Sequence, residues 1–269
     1  MDLIIGFLLG LAIGGLAWRM RALTRSGALA AALVGGLVFG LGGPSWAALL
    51  LAFFISSSVL SRLFASRKRQ AEEKFAKGTR RDWAQVLANG GLGAGLALIH
   101  ALDPDAVWTW AAYAGAVAAV TADTWATEVG VLSRRPARLV TTGAAVEAGT
   151  SGAITPLGLG ASLAGAGLIG LLGAAAAPAA VPGPLLFGAV LLSGFLASLI
   201  DSLAGATVHA IYLCEACGRE TEQHPIHSCG GASAHIRGWR WLDNDLVNLA
   251  ASGVGAAGAV LVVAGGSLL

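Results

Sequence analysis

The chain has 269 residues, of which 56% are hydrophobic and only 12% charged, with a mean hydropathy of +0.73. A soluble domain carries about 25% charged residues and is less than half apolar, so this composition excludes an ordinary soluble protein. The formal net charge of +2 is too small to identify a partner; the informative quantity is where the charges lie.

Apolar runs long enough to cross a hydrocarbon core need about 20 residues. Eight such spans are expected, at 2–18, 27–42, 44–61, 83–101, 106–132, 154–177, 183–211 and 246–268. The first has an acid at Asp2, no cationic leader and no small-residue cleavage site, and reads as a retained helix rather than a signal peptide. Spans two and three are separated by Gly42-Gly43-Pro44-Ser45, a turn signal for a tight helical hairpin. The expectation is one all-α polytopic membrane domain over 1–269, with a basic segment at 62–82 and a polar loop at 212–243.

With eight spans, the 17 Lys and Arg fall into alternate connecting segments in groups of 3, 8, 3 and 3: Arg19 to Arg25, Arg62 to Arg81, Arg134 to Arg138, and Arg219 to Arg240. The intervening segments and both termini hold none. Cationic residues stay on the cytoplasmic side of short loops. Every basic segment is therefore expected in the cytoplasm and both termini outside.

The polar residues sort to the same side. Asn89 opens the fourth span, and Asp123 and Glu128 end the fifth in TADTWATEVG. The Gly/Thr loop TTGAAVEAGTSGAIT follows at 141–155, Asp201 lies in the seventh span, and WLDNDLVN opens the eighth. An acid inside a span costs about 2.5–3.5 kcal/mol on insertion scales and usually marks a pathway or a site. Glu128 could equally meet Arg134 and Arg135 at the membrane edge. Positions five apart on a helix differ by about 140°, so Asp123 and Glu128 are not expected to share a face.

In LIDSLAGATVHA, Gly205 and Ala206 suit close helix packing, which accounts for the small residues but not for Asp201; His209 reads as an interfacial histidine. In WLDNDLVN, Asp243 or Asn244 suits a helix N-cap, leaving Asp245 and Asn248 on one face. Oxygen donors from three helices suit Mg²⁺. The loop has the composition of a phosphate cradle: glycines expose N–H groups, Thr142, Thr150 and Ser151 offer hydroxyls, and a helix N-terminus follows. It lacks GxxxxGK[ST]. Lys77, Arg80 and Arg81 precede Asn89 and serve either as a membrane anchor or as polyphosphate ligands.

All three cysteines lie in CEACGRETEQHPIHSCGG. Cys214, Cys217, His227 and Cys229 could supply the four ligands of a closed structural zinc site, although His-x-Cys is an unusual half-site. A stable disulfide is not expected in a reducing compartment.

Acids, Mg²⁺ and cationic groups are the parts of phosphoryl transfer, and a site sunk in a bilayer implies a lipid substrate. The segments KGTRRDWAQVLANGG, ADTWATEVGVLS, TTGAAVEAGTSGAIT, DSLAGATVH and WLDNDLVN resemble, in order, the signature segments of the phytyl-phosphate kinase family. That family includes animal transmembrane protein 19 and many prokaryotic proteins. The resemblance covers about residues 60–250 and implies an enzyme in a prokaryotic cell membrane, acting from the cytoplasmic face. Its reaction would convert an isoprenyl monophosphate to the diphosphate with an NTP, and CTP is implied only by the resemblance. On this reading Asp123, Asp201 and Asp245 hold Mg²⁺, with Glu128 beside them. Lys77, Arg80, Arg81, Thr142 and the Gly149-Thr150-Ser151-Gly152 loop take phosphate, and Asn89 and Asn248 orient it. Here the loop has Ser151-Gly152-Ala153 where the family often has Asn-Gly-Gly. The partners implied are the nucleotide, the isoprenoid lipid phosphate and the membrane, with no nucleic acid; homo-oligomers stay open. The rivals are a lipid-phosphate cytidylyltransferase and an ion-coupled transporter or flippase.

Overall fold

The computed structural model describes residues 2–64 and 80–266. Among the described residues there are eight helices: α1 (Asp2–Arg19), α2 (Arg25–Gly42), α3 (Pro44–Leu63), α4 (Trp83–Leu102), α5 (Trp108–Gly130), α6 (Pro156–Ala175), α7 (Gly183–Thr207) and α8 (Asn244–Gly266). Each lies within a few residues of an expected span. Most of the segment 62–82, including Lys77, lies outside the described residues.

Local chemistry explains where helices start. Thr24 accepts from Gly27 N at 3.0 Å, and Thr155 accepts from Gly158 N at 3.0 Å ahead of Pro156. Asp82 and Gln85 form a reciprocal capping box at 3.0 and 3.1 Å. Asp243 accepts from Leu246 N at 3.0 Å, which is the N-cap role expected for it. Gly43, at φ 84°, makes the turn between α2 and α3, and Pro44 opens the second helix.

Seven of the described helices are long and apolar enough to cross a membrane. The exception is α5, and its position explains why. It packs against α3, α4, α6, α7 and α8, and every residue from Thr109 to Ala122 is buried. A helix wrapped by protein needs no leucine-rich face for lipid; it needs small side chains that let neighbours close in. At its crossing with α8, a Cβ on Gly115 would lie 2.3 Å from the Gly255 carbonyl oxygen, and one on Gly255 would lie 2.5 Å from that of Gly115. Further toward its N-terminus, Tyr113 stacks on Trp46 at 4.3 Å and donates to the Trp46 carbonyl at 2.7 Å. This aromatic cluster lies about 15 Å along the helix from Asp123 at 1.5 Å per residue, so α5 is apolar at one end and polar at the other.

The all-α expectation holds for the membrane part, but two small antiparallel sheets stand outside it. One, in the order β2-β1-β3, is built from β1 (Ala137–Leu139), β2 (Ala145–Val146) and β3 (Ala153–Ile154). The other, in the order β5-β4-β6, is built from β4 (Ile211–Cys214), β5 (Glu220–Thr221) and β6 (Ser233–Arg237). The seventh helix therefore ends at Thr207 rather than 211, because Ile211 to Cys214 pair with both neighbouring strands. His209 lies beyond that helix.

Candidate functional site

The ends of α3, α5 and α7 and the beginnings of α4, α6 and α8 meet at the end of the bundle that carries the basic segments. They enclose a cavity of about 300 Å³. Up-and-down connectivity produces this meeting: helices joined through short opposite-side turns return their polar termini to one end. Both sheets lie at this end too, since each begins just past the C-terminus of α5 or α7.

Asp123 and Glu128 from α5, Asp201 from α7 and Asp245 from the first turn of α8 all line the cavity. Asp245 is buried. Asp201 Oδ2 is buried with no hydrogen-bond partner among the described residues, and the charges of Asp123 and Glu222 reach it. Glu128 accepts from Ser61 Oγ at 2.6 Å, so it is held across to α3. Asp123 and Glu128 thus border one cavity despite their offset on the helix. The offset stands; the cavity is wide enough to take both sides. Asn89 and Asn248 line it as well.

The loop from Ala148 to Thr155 forms another wall. Gly149 and Gly152 have φ 82° and 79°, a region open to glycine at little cost. Gly152 is required twice over, since a Cβ there would lie 2.3 Å from Ala206 N. The Gly152 carbonyl accepts from Val140 N at 3.0 Å, tying the loop to the first sheet. Gly205 and Ala206 therefore do pack closely, but against this loop.

Two expected phosphate ligands, Thr142 and Arg80, do not line the cavity. Thr142 sits exposed in the turn between β1 and β2, where its hydroxyl accepts from Ala144 N at 3.3 Å. Arg80 turns away and donates to the Leu23 carbonyl at 3.2 Å. Lys77 lies outside the described residues. Arg81 is the one Lys or Arg lining the cavity among the described residues. Its backbone is clamped to the start of α2 through Thr24 N to Arg81 O at 3.0 Å and Arg81 N to Ala22 O at 3.1 Å. Its guanidinium lies over Phe53 and Phe54, 5.4 and 5.8 Å from the ring centroids. Burial lowers its pKa to about 10, which leaves it a cation at neutral pH.

Residues not expected as ligands also line the cavity, among them Ser61, Gln85, His209, Glu222 and Asp243. Glu222 comes from the cysteine-bearing loop, where no spacing signal points toward the membrane site. His209 is buried rather than interfacial, with Nδ1 3.0 Å from Ser151 Oγ and 3.8 Å from Glu222 Oε1. Burial pulls its pKa down to about 4, against the raising influence of Asp243 and with Arg237 lowering it further.

This makes His209 neutral in the folded protein and sets a sign. Below its ordinary value near 6.5 the unfolded chain takes up a proton that the folded chain refuses until about pH 4, so stability falls as pH drops through that window. His209→Asn is expected to lessen the loss of melting temperature between pH 6.5 and 4 relative to wild type. Parallel curves for the two proteins in thermal melts would contradict this assignment.

The remaining candidate ligands form a second cluster. The ligand atoms of Cys214, Cys217, His227 and Cys229 all lie within 4.8 Å of one another.

Fold and site together define a polytopic helical membrane protein with an acid-lined polar cavity where its helix ends converge. The chain belongs to the integral membrane protein family DUF92, whose model matches residues 8–256 and so includes every residue of the cavity. It is 32% identical to Protein PGR of Arabidopsis thaliana over 252 residues, covering 86% of this chain and 85% of that protein. It is also 34% identical over 194 residues to the uncharacterized membrane protein MJ0933 of Methanocaldococcus jannaschii, covering 70% and 75% of the two chains. No solved structure matches. The family membership read from the ordered motifs is borne out.

Proposed function

We propose that this protein is a membrane phosphotransferase that passes a phosphoryl group from an NTP to an isoprenyl monophosphate, giving the diphosphate. The observation that carries the reading is the buried, partnerless Oδ2 of Asp201, in a cavity it shares with Asp123 and Asp245. A carboxylate oxygen withdrawn from water without a partner is costly, and a cation relieves that cost. Oxygen-only donors favour Mg²⁺ over softer metals, so the residues present fit the ion.

Asp123, Asp201 and Asp245 would hold Mg²⁺, which supplies neutralisation of the donor's phosphate charge. Arg81 takes the role expected of Arg80 and meets phosphate from the α4 side. Opposite it, the Gly149–Gly152 loop and the N-terminus of α6 offer backbone N–H groups, and Asn89 and Asn248 orient phosphate oxygens. The acceptor phosphate is already an anion, so its oxygen attacks the γ-phosphorus without a general base. The new P–O bond forms as the β–γ bridging bond breaks, and the NDP leaves with the electron pair. Glu128, held by Ser61, adds negative field beside the metal ligands.

The one-sided distribution of Lys and Arg supports a cytoplasmic face for the cavity and outer positions for both termini. The isoprenoid acceptor and CTP as donor follow from the family resemblance. The test is mass spectrometry of lipids after the purified protein meets a panel of prenyl phosphates and NTPs with Mg²⁺. A prenyl diphosphate plus NDP is expected. A CDP-lipid with pyrophosphate would replace the reading by a cytidylyltransferase, and absence of turnover with cation-coupled flux in liposomes would replace it by a transporter.

A further inference from the structure

We propose that Cys214, Cys217, His227 and Cys229 bind one Zn²⁺ in a closed site, and that this ion fixes the second sheet so that it presents Glu222 and His209 to the polar cavity. Three observations lead there.

The first is the distance set. Cys214 and Cys229 sulfurs lie 3.4 Å apart, and His227 Nδ1 lies 3.1 and 3.5 Å from the sulfurs of Cys229 and Cys217. Tetrahedral zinc with Zn–S of about 2.3 Å and Zn–N of about 2.0–2.1 Å holds its ligand atoms about 3.5–3.8 Å apart. The four groups are thus already near coordination spacing, and the three cysteines are free thiols.

The second is the backbone that places them. Each ligand pair is closed by a tight turn that ends on a left-handed glycine just past the second ligand. Gly218, at φ 67°, donates its N–H to the Cys214 carbonyl at 2.8 Å; Gly230, at φ 87°, donates to the His227 carbonyl at 2.8 Å. Glu215 N donates to Ala232 O at 2.9 Å, joining the first turn to the chain leaving the second, and His227 N donates to Gly231 O at 2.9 Å, closing the second turn on itself. His-x-Cys therefore works as a half-site because its turn is the counterpart of the Cys-x-x-Cys turn.

The third is the lack of any other staple. The strands of this sheet are 4, 2 and 5 residues long. So small a sheet buries too little apolar area to hold its own shape, and metals commonly make up the deficit.

The connection to the cavity runs through strand pairing. Cys214 ends β4, which pairs with β5 through Leu213–Glu220 and Tyr212–Thr221. Glu222 follows β5 directly, and His209 lies two residues before β4. Loosening the knuckle frees β5 from β4, and Glu222 then loses its place opposite Asp201. A four-ligand shell leaves no position for substrate, so the ion organises the wall and takes no part in the reaction.

The test uses the full-length protein in detergent, without any turnover assay, so it stands or falls separately from the phosphotransfer reading. Elemental analysis is expected to find one zinc per chain, falling by about tenfold or more in Cys217→Ser/Cys229→Ser, as when ligands are lost from a structural site. Should that variant not fold, mercurial titration of the wild-type thiols in the presence of a zinc-sensitive dye gives the same reading through stoichiometric release. Zinc far below one per chain after zinc-supplemented growth overturns the site, as does a Cys214–Cys229 disulfide by mass spectrometry. For the second clause, hydrogen exchange before and after chelation is expected to show lost protection at 219–223 and in the 148–152 loop that His209 contacts. Loss confined to the 214–218 and 227–231 turns overturns the coupling.

Discussion

Asp201→Asn is expected to lower diphosphate formation by about 10²–10³-fold, the usual size for loss of a preorganised charge at a reacting centre, and at the same time to raise stability in the absence of Mg²⁺. The two effects share one cause. Asp201 Oδ2 is buried without a hydrogen-bond partner among the described residues, and Asp123 and Glu222 lie near enough for their charges to oppose it. An amide of nearly the same shape removes that repulsion and the cost of keeping an unpaired charge out of water. A carboxylate kept only for packing would show the opposite pair, with turnover intact and stability lower. Thermal melts in EDTA beside product formation with saturating Mg²⁺ separate the cases. Near-wild-type turnover in both Asp201→Asn and Asp123→Asn would remove these acids from the mechanism.

The second large effect is expected at Gly152. Gly152→Ala should destabilise the 148–155 loop by about 1–2 kcal/mol from its left-handed backbone alone. In addition its new methyl would stand 2.3 Å from the backbone nitrogen of Ala206, which cannot move without unwinding the end of α7. The loop wall would shift away from Asp201, so loss of nucleotide affinity and turnover should exceed what the melting temperature suggests. Gly143→Ala is the matched comparison: φ is 70°, nothing lies within 4 Å of its Cβ position, and it is outside the cavity lining. It should cost only the conformational part, about 1–2 kcal/mol, and leave turnover alone. Equal behaviour of the two variants, in melts and in assays, would mean that the close approach to α7 has no functional weight.

Much of this was legible residue by residue. Spans follow from the free energy of moving side chains into hydrocarbon, which is a local property, and the helix starts follow from Thr24, Asp82, Thr155 and Asp243, whose capping oxygens act within three residues. Asp123, Asp201, Asp245, Asn89 and Asn248 were legible as a group because alternating helices return their termini to one end. Arg81 over Arg80 was not legible. Adjacent arginines look alike in sequence, and the choice rests on a backbone clamp to Ala22 and Thr24, nearly 60 residues away. Glu222 was hidden for the same reason: β4–β5 pairing carries a loop residue to a membrane cavity.

The sequence by itself determined that the chain is a polytopic membrane protein, where the eight helices found among the described residues lie, which of their ends are polar, and which family it belongs to. Those properties come from composition, from charge placement and from short ordered motifs. The tertiary structure decided that α5 stands inside the bundle, so that Asp123 and Glu128 border a protein cavity instead of lipid. It also decided which cation reaches that cavity and that the cysteine loop forms part of its wall. Spans this uniformly apolar carry almost no periodic signal for which face turns inward. Helix rotation is set only when small residues such as Gly115 and Gly255 meet across a crossing.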